Sequence, residues 1–189
     1  MKIEKVFKQA EKYKSKGNFN EAIALYEQAI KHNPNFHWYY YYLGEILTEI
    51  GQLEQAINNY YKVIQINPDF AGAHHSLGNA LIENGRLDES IIFYKKAVKY
   101  KPDFYLYLES LADALNIKRY WLQAAKYYYM ALEFYPSNTQ LNYKFLIHYN
   151  LASTLVQIEN VENAIIEYKN SISLNPDFFK PYKKLLQKF

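Results

Sequence analysis

The chain has 189 residues, half of them apolar and 22% charged, the balance of a folded globular protein rather than a disordered one. Six glycines and six prolines are too few for a turn-rich all-β fold, and the absence of cysteine excludes a disulfide framework, thiolate metal sites and thiol catalysis. A net charge of +3 falls short of the balance that announces a nucleic-acid binder. No apolar run approaches the roughly 18 residues that span a bilayer, and the charged opening MKIEKVFKQAEKYKSKGN has no apolar stretch of a signal peptide. The expectation is a soluble cytoplasmic protein.

The prolines reveal the organisation. Pro34, Pro68, Pro102 and Pro136 are spaced by 34 each time, and Pro176 follows after 40. The text around them recurs: NPNF at 33–36, NPDF at 67–70, KPDF at 101–104, YPSN at 135–138 and NPDF at 175–178. Internal repeats of this length mark stacked helical or solenoid architectures. The chain divides into repeats at 3–36, 37–70, 71–104, 105–138 and 145–178, with an insertion at 139–144.

With each repeat numbered from slot 1 to slot 34, the periodicity predicts two helices, over about slots 1–14 and 18–31. Slot 8 is small (Ala10, Gly44, Gly78, Ala112, Ala152), as is slot 20 (Ala22, Ala56, Ser90, Ala124, Ala164). Slot 24 is Tyr throughout (Tyr26, Tyr60, Tyr94, Tyr128, Tyr168), and slot 27 is Ala29, Val63, Ala97, Ala131, Ser171. Slots 4, 7, 8 and 11 form one helical stripe and slots 20, 24 and 27 another, so small residues meet large ones and the helices approach closely. Gly17, Gly51 and Gly85 at slot 15 suit a left-handed helix end, whereas Arg119 and Glu159 depart from the pattern there. Slot 33 carries Asn35, Asp69, Asp103, Ser137 and Asp177, expected to cap the next first helix.

The two irregular segments also read as helical. Ser137 to Gln140 fits a capping box, and Leu141 and Phe145 continue the stripe of His148, Ala152 and Leu155, which predicts one helix over about 138–158. In 179–189, Tyr182, Leu185, Leu186 and Phe189 occupy slots 4, 7, 8 and 11 with lysines on the other sides, as a C-terminal capping helix requires.

On these residues the chain resembles the tetratricopeptide repeat family. Slot 4, where the family often has Trp, holds Val6, Tyr40, His74, Leu108 and His148. The resemblance implies one all-α domain over 1–189, a right-handed superhelix of five helix-turn-helix repeats with a C-terminal helix. It implies non-catalytic protein–protein interaction, as an adaptor or assembly scaffold.

No phosphate loop, H-E-x-x-H or G-x-S-x-G motif is present, and neither catalysis, a metal nor a cofactor is expected. His74 and His148 fall on a packing slot, and adjacent His74 and His75 point to different faces of a helix. No carboxylate is placed in apolar surroundings by its slot. The tyrosine runs 39–42 and 127–129 are read as packing positions, and the lysines at 95–101 and 180–188 as a solvated outer face.

Slots 2, 5, 9 and 12 of the first helices lie opposite the packing stripe, and in the tetratricopeptide family these slots line the concave groove. Five carboxylates fall there, Glu4, Glu11, Glu45, Glu109 and Asp113, against one lysine, Lys14. Phe7, Trp38, Tyr41, Leu106 and Tyr149 add apolar anchors, and His75 and Asn79 complete the candidate surface. Asn79, within the run LGNAL, resembles the asparagine that bonds a peptide backbone in glycosyltransferase-associated repeats. An acidic groove with aromatic anchors suits an extended basic or amide-rich peptide and repels phosphate. Alternatives remain: Trp38 and Tyr41 packing on the first repeat or on a second copy in a homo-oligomerisation module, the regulatory arm of a larger enzyme, or weak nucleic-acid binding through the lysine-rich outer face.

Overall fold

The structure, a computed structural model, describes residues 3–136 and 143–178. Among them are ten α-helices and no strand: α1 (Ile3–Lys14), α2 (Phe19–His32), α3 (His37–Glu49), α4 (Leu53–Ile66), α5 (Ala71–Glu83), α6 (Leu87–Tyr100), α7 (Tyr105–Ile117), α8 (Trp121–Glu133), α9 (Lys144–Gln157) and α10 (Val161–Leu174). Five helix pairs thus stand where the 34-residue period places them. The chain divides into two compact units between Tyr100 and Lys101. In the first, α1 to α6 pack each on the next, and first helices α3 and α5 also touch. In the second, α7 to α10 pack in the same manner, with α7 touching α9.

The periodic residues form the core. Tyr26, Tyr60, Tyr94, Tyr128 and Tyr168 are all buried, as are the small residues at slots 8, 20 and 27. The reason for the small slot 8 is direct contact. A Cβ built on Gly44 would sit 2.7 Å from Tyr60 Cε1, and one on Gly78 would sit 2.5 Å from Tyr94 Cε1. Each ring therefore rests on the backbone of the first helix, and the two helices close to the separation that only a small residue permits. In the tyrosine run 39–42, Tyr39 is the fully buried member, and Tyr40 is half-buried.

The turn between the two helices of a pair has one geometry in all five repeats. Gly17, Gly51 and Gly85 have φ of 74°, 76° and 76°, and Arg119 and Glu159 hold the same left-handed conformation at 64° and 60°. In the second repeat Gln52 N donates to Leu47 O at 2.8 Å and Gly51 N to Thr48 O at 3.0 Å, the paired bonds of a Schellman motif. Tyr120 N to Leu115 O at 2.8 Å and Asn160 N to Leu155 O at 3.0 Å reproduce its long bond without glycine.

The turns between repeats correct the sequence reading. Asn35, Asp69 and Asp103 do not cap the following helices: the N-caps are Phe36, Phe70 and Phe104, with no side-chain capping bond. Asn33-Pro34-Asn35 and Asn67-Pro68-Asp69 form tight turns instead, closed by Phe36 N to Asn33 O at 3.4 Å and Phe70 N to Asn67 O at 3.3 Å. Proline's fixed φ suits the second position of such a turn. The helix α9 begins at Lys144, with Tyr143 at its cap. Residues 137–142, over which this helix was predicted to extend, and the predicted capping helix at 179–189 lie outside the described residues.

Two sets of substitutions test this frame by chemical denaturation. Tyr94→Ala should cost about 3–5 kcal/mol as a core truncation. Tyr94→Phe should cost only about 1 kcal/mol, since it removes the hydroxyl alone. Glu159→Gly should gain about 0.5–1 kcal/mol, the relief of a left-handed side chain less the extra freedom of unfolded glycine. Gly51→Ala should lose about 1–2 kcal/mol with no clash to explain it, because nothing lies within 4 Å of the added methyl.

Candidate functional site

In the first unit, neighbouring first helices bring the predicted face together over α1, α3 and α5. Its aromatic members are more deeply engaged than free anchors. The Phe7 ring lies 5.1 Å from Tyr42, 5.7 Å from Tyr39 and 6.0 Å from Tyr26, within the core cluster. Trp38 is half-buried, stacked 5.9 Å from Tyr42 and 4.9 Å edge-on from Phe70. Tyr41 lies 5.1 Å from Phe70 and 5.8 Å from Trp38. Its hydroxyl meets Ser76 Oγ on the next first helix at 3.3 Å. Burial pushes its phenol above the usual range.

The polar members form a floor beside this wall. A depression of about 330 Å³ is lined by Lys14, Glu45, Thr48, Glu49, Tyr60, Ser76, Asn79 and Glu83. Lys14 is tied to Glu49 at 2.9 Å, which raises the ammonium pKa and leaves Glu45 and Glu83 to set the sign of the pocket. Burial raises the Glu45 carboxyl, opposed by a hydrogen bond from Tyr41 and by Lys14. Glu11 is exposed on the first helix. His75 is half-buried 5.7 Å from Tyr94, and burial lowers its pKa to about 4, so it is neutral at pH 7. Asn79 accepts the Tyr94 hydroxyl at 2.8 Å through Oδ1.

In the second unit, Glu109 and Asp113 are one turn apart on one side of α7. Asp113 accepts the Tyr128 hydroxyl and, at 3.3 Å, the Asn150 amide from α9. Burial raises the Asp113 carboxyl against those two bonds. Glu109 is pushed up to about 7 by burial first and by the Asp113 charge second. The expectation that no carboxylate enters apolar surroundings is therefore corrected: helix packing half-buries both. Glu167 is buried as well, its Oε2 2.5 Å from His148 Nδ1. Tyr149 packs 5.2 Å from Phe178 and 5.9 Å from Tyr168. Leu106 remains 40% exposed at the top of the same face.

One rule joins both units. The slot-24 tyrosine passes under the face and bonds its floor: Tyr94 to Asn79, Tyr128 to Asp113, Tyr168 to Ser153 at 3.1 Å and Tyr60 to Thr48 at 3.3 Å. The sequence reading missed Phe70 and Phe178, which complete the aromatic walls around Trp38, Tyr41 and Tyr149. Their signal was present as the aromatic that follows the proline turn at slot 34 in four of the five repeats.

A family profile described as TPR repeat matches residues 10–51 and 44–85. A second, described as Tetratricopeptide repeat, matches 71–104 and 146–178. No curated protein matches the sequence. Among solved structures, MamA is similar at 18% identity with a TM-score of 0.80, covering 93% of this chain and 96% of that one. YrrB, described as a TPR protein with an unusual peptide-binding site, is 17% identical with a TM-score of 0.78, covering 95% and 89%. PilF of Pseudomonas aeruginosa is 15% identical with a TM-score of 0.77, covering 96% and 79%. Identities this low speak for the fold alone, and it is the same all-α helical-repeat fold. Profile matches in register with the 34-residue period, together with these structures, show that the chain belongs to the tetratricopeptide repeat family.

Proposed function

We propose that the protein binds an extended, basic or amide-rich peptide along the face of its first helices and acts as a non-catalytic adaptor or assembly scaffold. The tetratricopeptide fold supports protein–protein interaction as the general role. No helix among the described residues is long and apolar enough to cross a membrane. The observation that carries the finer reading is the Glu109–Asp113 pair. Both carboxyls are held above their usual range by burial, and the like charge of Asp113 raises Glu109 further. Such a pair gains from an arriving lysine, arginine or amine, which replaces the lost solvation with an opposite charge. Glu45 beside the aromatic wall of the first unit offers the same chemistry on a smaller scale. The side amide of Asn79 lies in the wall of the same depression, within reach of a peptide backbone. YrrB, similar in fold, is itself described as having a peptide-binding site.

The helix repeats present this face ready-made, so the peptide loses most of the conformational freedom on binding. Glu45→Lys with Glu109→Lys should weaken binding of a lysine- and arginine-rich peptide at least about tenfold, read by fluorescence anisotropy at equal melting temperature. Unchanged affinity would remove the acidic face from the reading. Trp38→Ala with Tyr41→Ala tests the aromatic wall in the same assay.

The carboxyl pair also predicts a pH dependence of stability. Glu109 in the folded chain holds its proton more tightly than an unfolded carboxyl does. The stability gained from that proton is present below the unfolded value and is lost as pH rises through about 7. Glu109→Gln should therefore raise the stability at pH 8, by roughly 1–3 kcal/mol, and change it little at pH 4. Thermal melts across that range would show it, and a basic ligand should narrow the difference.

A further inference from the structure

A second apolar surface lies away from this face, at the turn between α7 and α8. Ile117, Tyr120 and Leu122 are 63%, 50% and 73% exposed. They occupy slots 13, 16 and 18 of the fourth repeat. The other repeats show what those slots need for folding. Slot 13 is Ser15, Glu49, Glu83 or Gln157; slot 16 is Asn18, Gln52, Arg86 or Asn160; slot 18 is Asn20, Glu54, Asp88 or Glu162. All twelve are polar or charged, and the turn they build is the same turn. Apolar residues at all three positions of one repeat are thus not required by the hairpin, and each leaves apolar area in water.

The surface has a shape. A depression of about 260 Å³ opens between Arg119, Tyr120, Trp121, Leu122, Gln123 and Ile158, the last from the turn of the fifth repeat. An adjoining depression of about 410 Å³ shares Arg119 and Trp121 and is otherwise lined by Asn116, Ile117, Ser153 and Gln157. The first is walled by the apolar side chains of Tyr120, Trp121, Leu122 and Ile158, with Arg119 and Gln123 at its polar side, and is large enough for an aromatic ring, since a cavity of about 150 Å³ already admits benzene. The second offers amides and a hydroxyl. Arg119, exposed and held in the left-handed turn conformation, lines both depressions and brings a guanidinium that can donate to a carbonyl or carboxylate oxygen.

We propose that this turn edge is a docking site for a short extended peptide segment of a partner protein. One aromatic or long aliphatic side chain enters the depression walled by Trp121, Leu122 and Ile158, and the adjoining backbone bonds Asn116, Gln157 and Arg119. The size of the patch selects the occupant. Three exposed side chains supply on the order of a few hundred Å², well under the ~800 Å² per partner of a stable interface between two folded copies. A linear segment with a single anchor is the ligand that such an area can hold. The apolar depression takes none of its lining from slots 2, 5, 9 or 12, and the adjoining one meets those rows at Asn116 and Ser153.

The test selects a displayed library of short random peptides against the full chain. Binding of the enriched peptides is then measured to Ile117→Glu/Tyr120→Asn/Leu122→Glu, whose substitutions are residues that other repeats carry at the same slots. Enriched peptides should share one aromatic or long aliphatic residue and change Trp121 fluorescence. They should bind the triple variant at least about tenfold more weakly at equal melting temperature, and bind Glu45→Lys with wild-type affinity. Leu122→Glu alone repeats the measurement should the triple variant melt early. Equal binding to wild type and to Leu122→Glu would overturn the proposal, as would enrichment without an apolar anchor. Sedimentation supplies the other refutation: a mass that rises with concentration for the wild type but not for the triple variant would assign the patch to a second copy of the chain. Loss of binding by Glu45→Lys with retention by Leu122→Glu would support the acidic face alone and reject the turn edge.

Discussion

Everything in this molecule rests on a tyrosine ring lying against a helix that has no side chain, or only a methyl, to keep it away. The slot-24 tyrosine is buried, its ring edge meets the backbone at slot 8, and its hydroxyl emerges on the far side of the first helix. One residue therefore does three jobs. It fills the space between paired helices, it sets how closely they approach, and it ties the polar floor of the candidate binding face to the core. The same buried tyrosine in all five pairs gives repeats built chiefly on local contacts.

The charge pattern follows from that packing. The first helices approach each other closely enough for Tyr41 to reach Ser76 and Asn150 to reach Asp113. Side chains between them lose water without losing their ability to ionise. Carboxylates placed there are raised toward neutrality by burial, against hydrogen bonds from Tyr128 and Asn150 at Asp113, and from Tyr41 with the Lys14 charge at Glu45. A charge brought near such carboxylates is felt at short range, where solvent screening is weak.

The frame was legible in the sequence because it repeats. Five registers of small, Tyr, Ala and Pro fix the helix pairs, and the left-handed turn persists even where Arg119 and Glu159 replace glycine. The flanking chemistry was less legible. Asp69 and Asp103 look like helix caps in isolation, but the proline before each draws them into a turn and leaves capping to a phenylalanine. The role of Phe70 and Phe178 depends on which aromatic of the next helix they meet, which no period encodes. Burial of Glu109 and Asp113 was invisible for the same reason: it arises from the neighbouring repeat, whereas the slot pattern describes only a helix's own side.

The hydroxyl tethers limit what the face can become. Slot 9 holds Glu11, Glu45, Asn79, Asp113 and Ser153, and every one of these side chains can accept a hydrogen bond. In the third and fourth repeats the slot-9 side chain accepts the hydroxyl of the tyrosine below, and in the fifth Ser153 is paired with the Tyr168 hydroxyl. A lysine or leucine there would strand a buried hydroxyl, so that position has a narrow alphabet fixed by folding. Slots 2 and 5 carry no such obligation and range from glycine and glutamate to tryptophan. Under the proposed peptide-binding reading, two rows of the face are left to diversify while a third row stays in the service of the core, and a redesign of specificity has its freedom in those two rows.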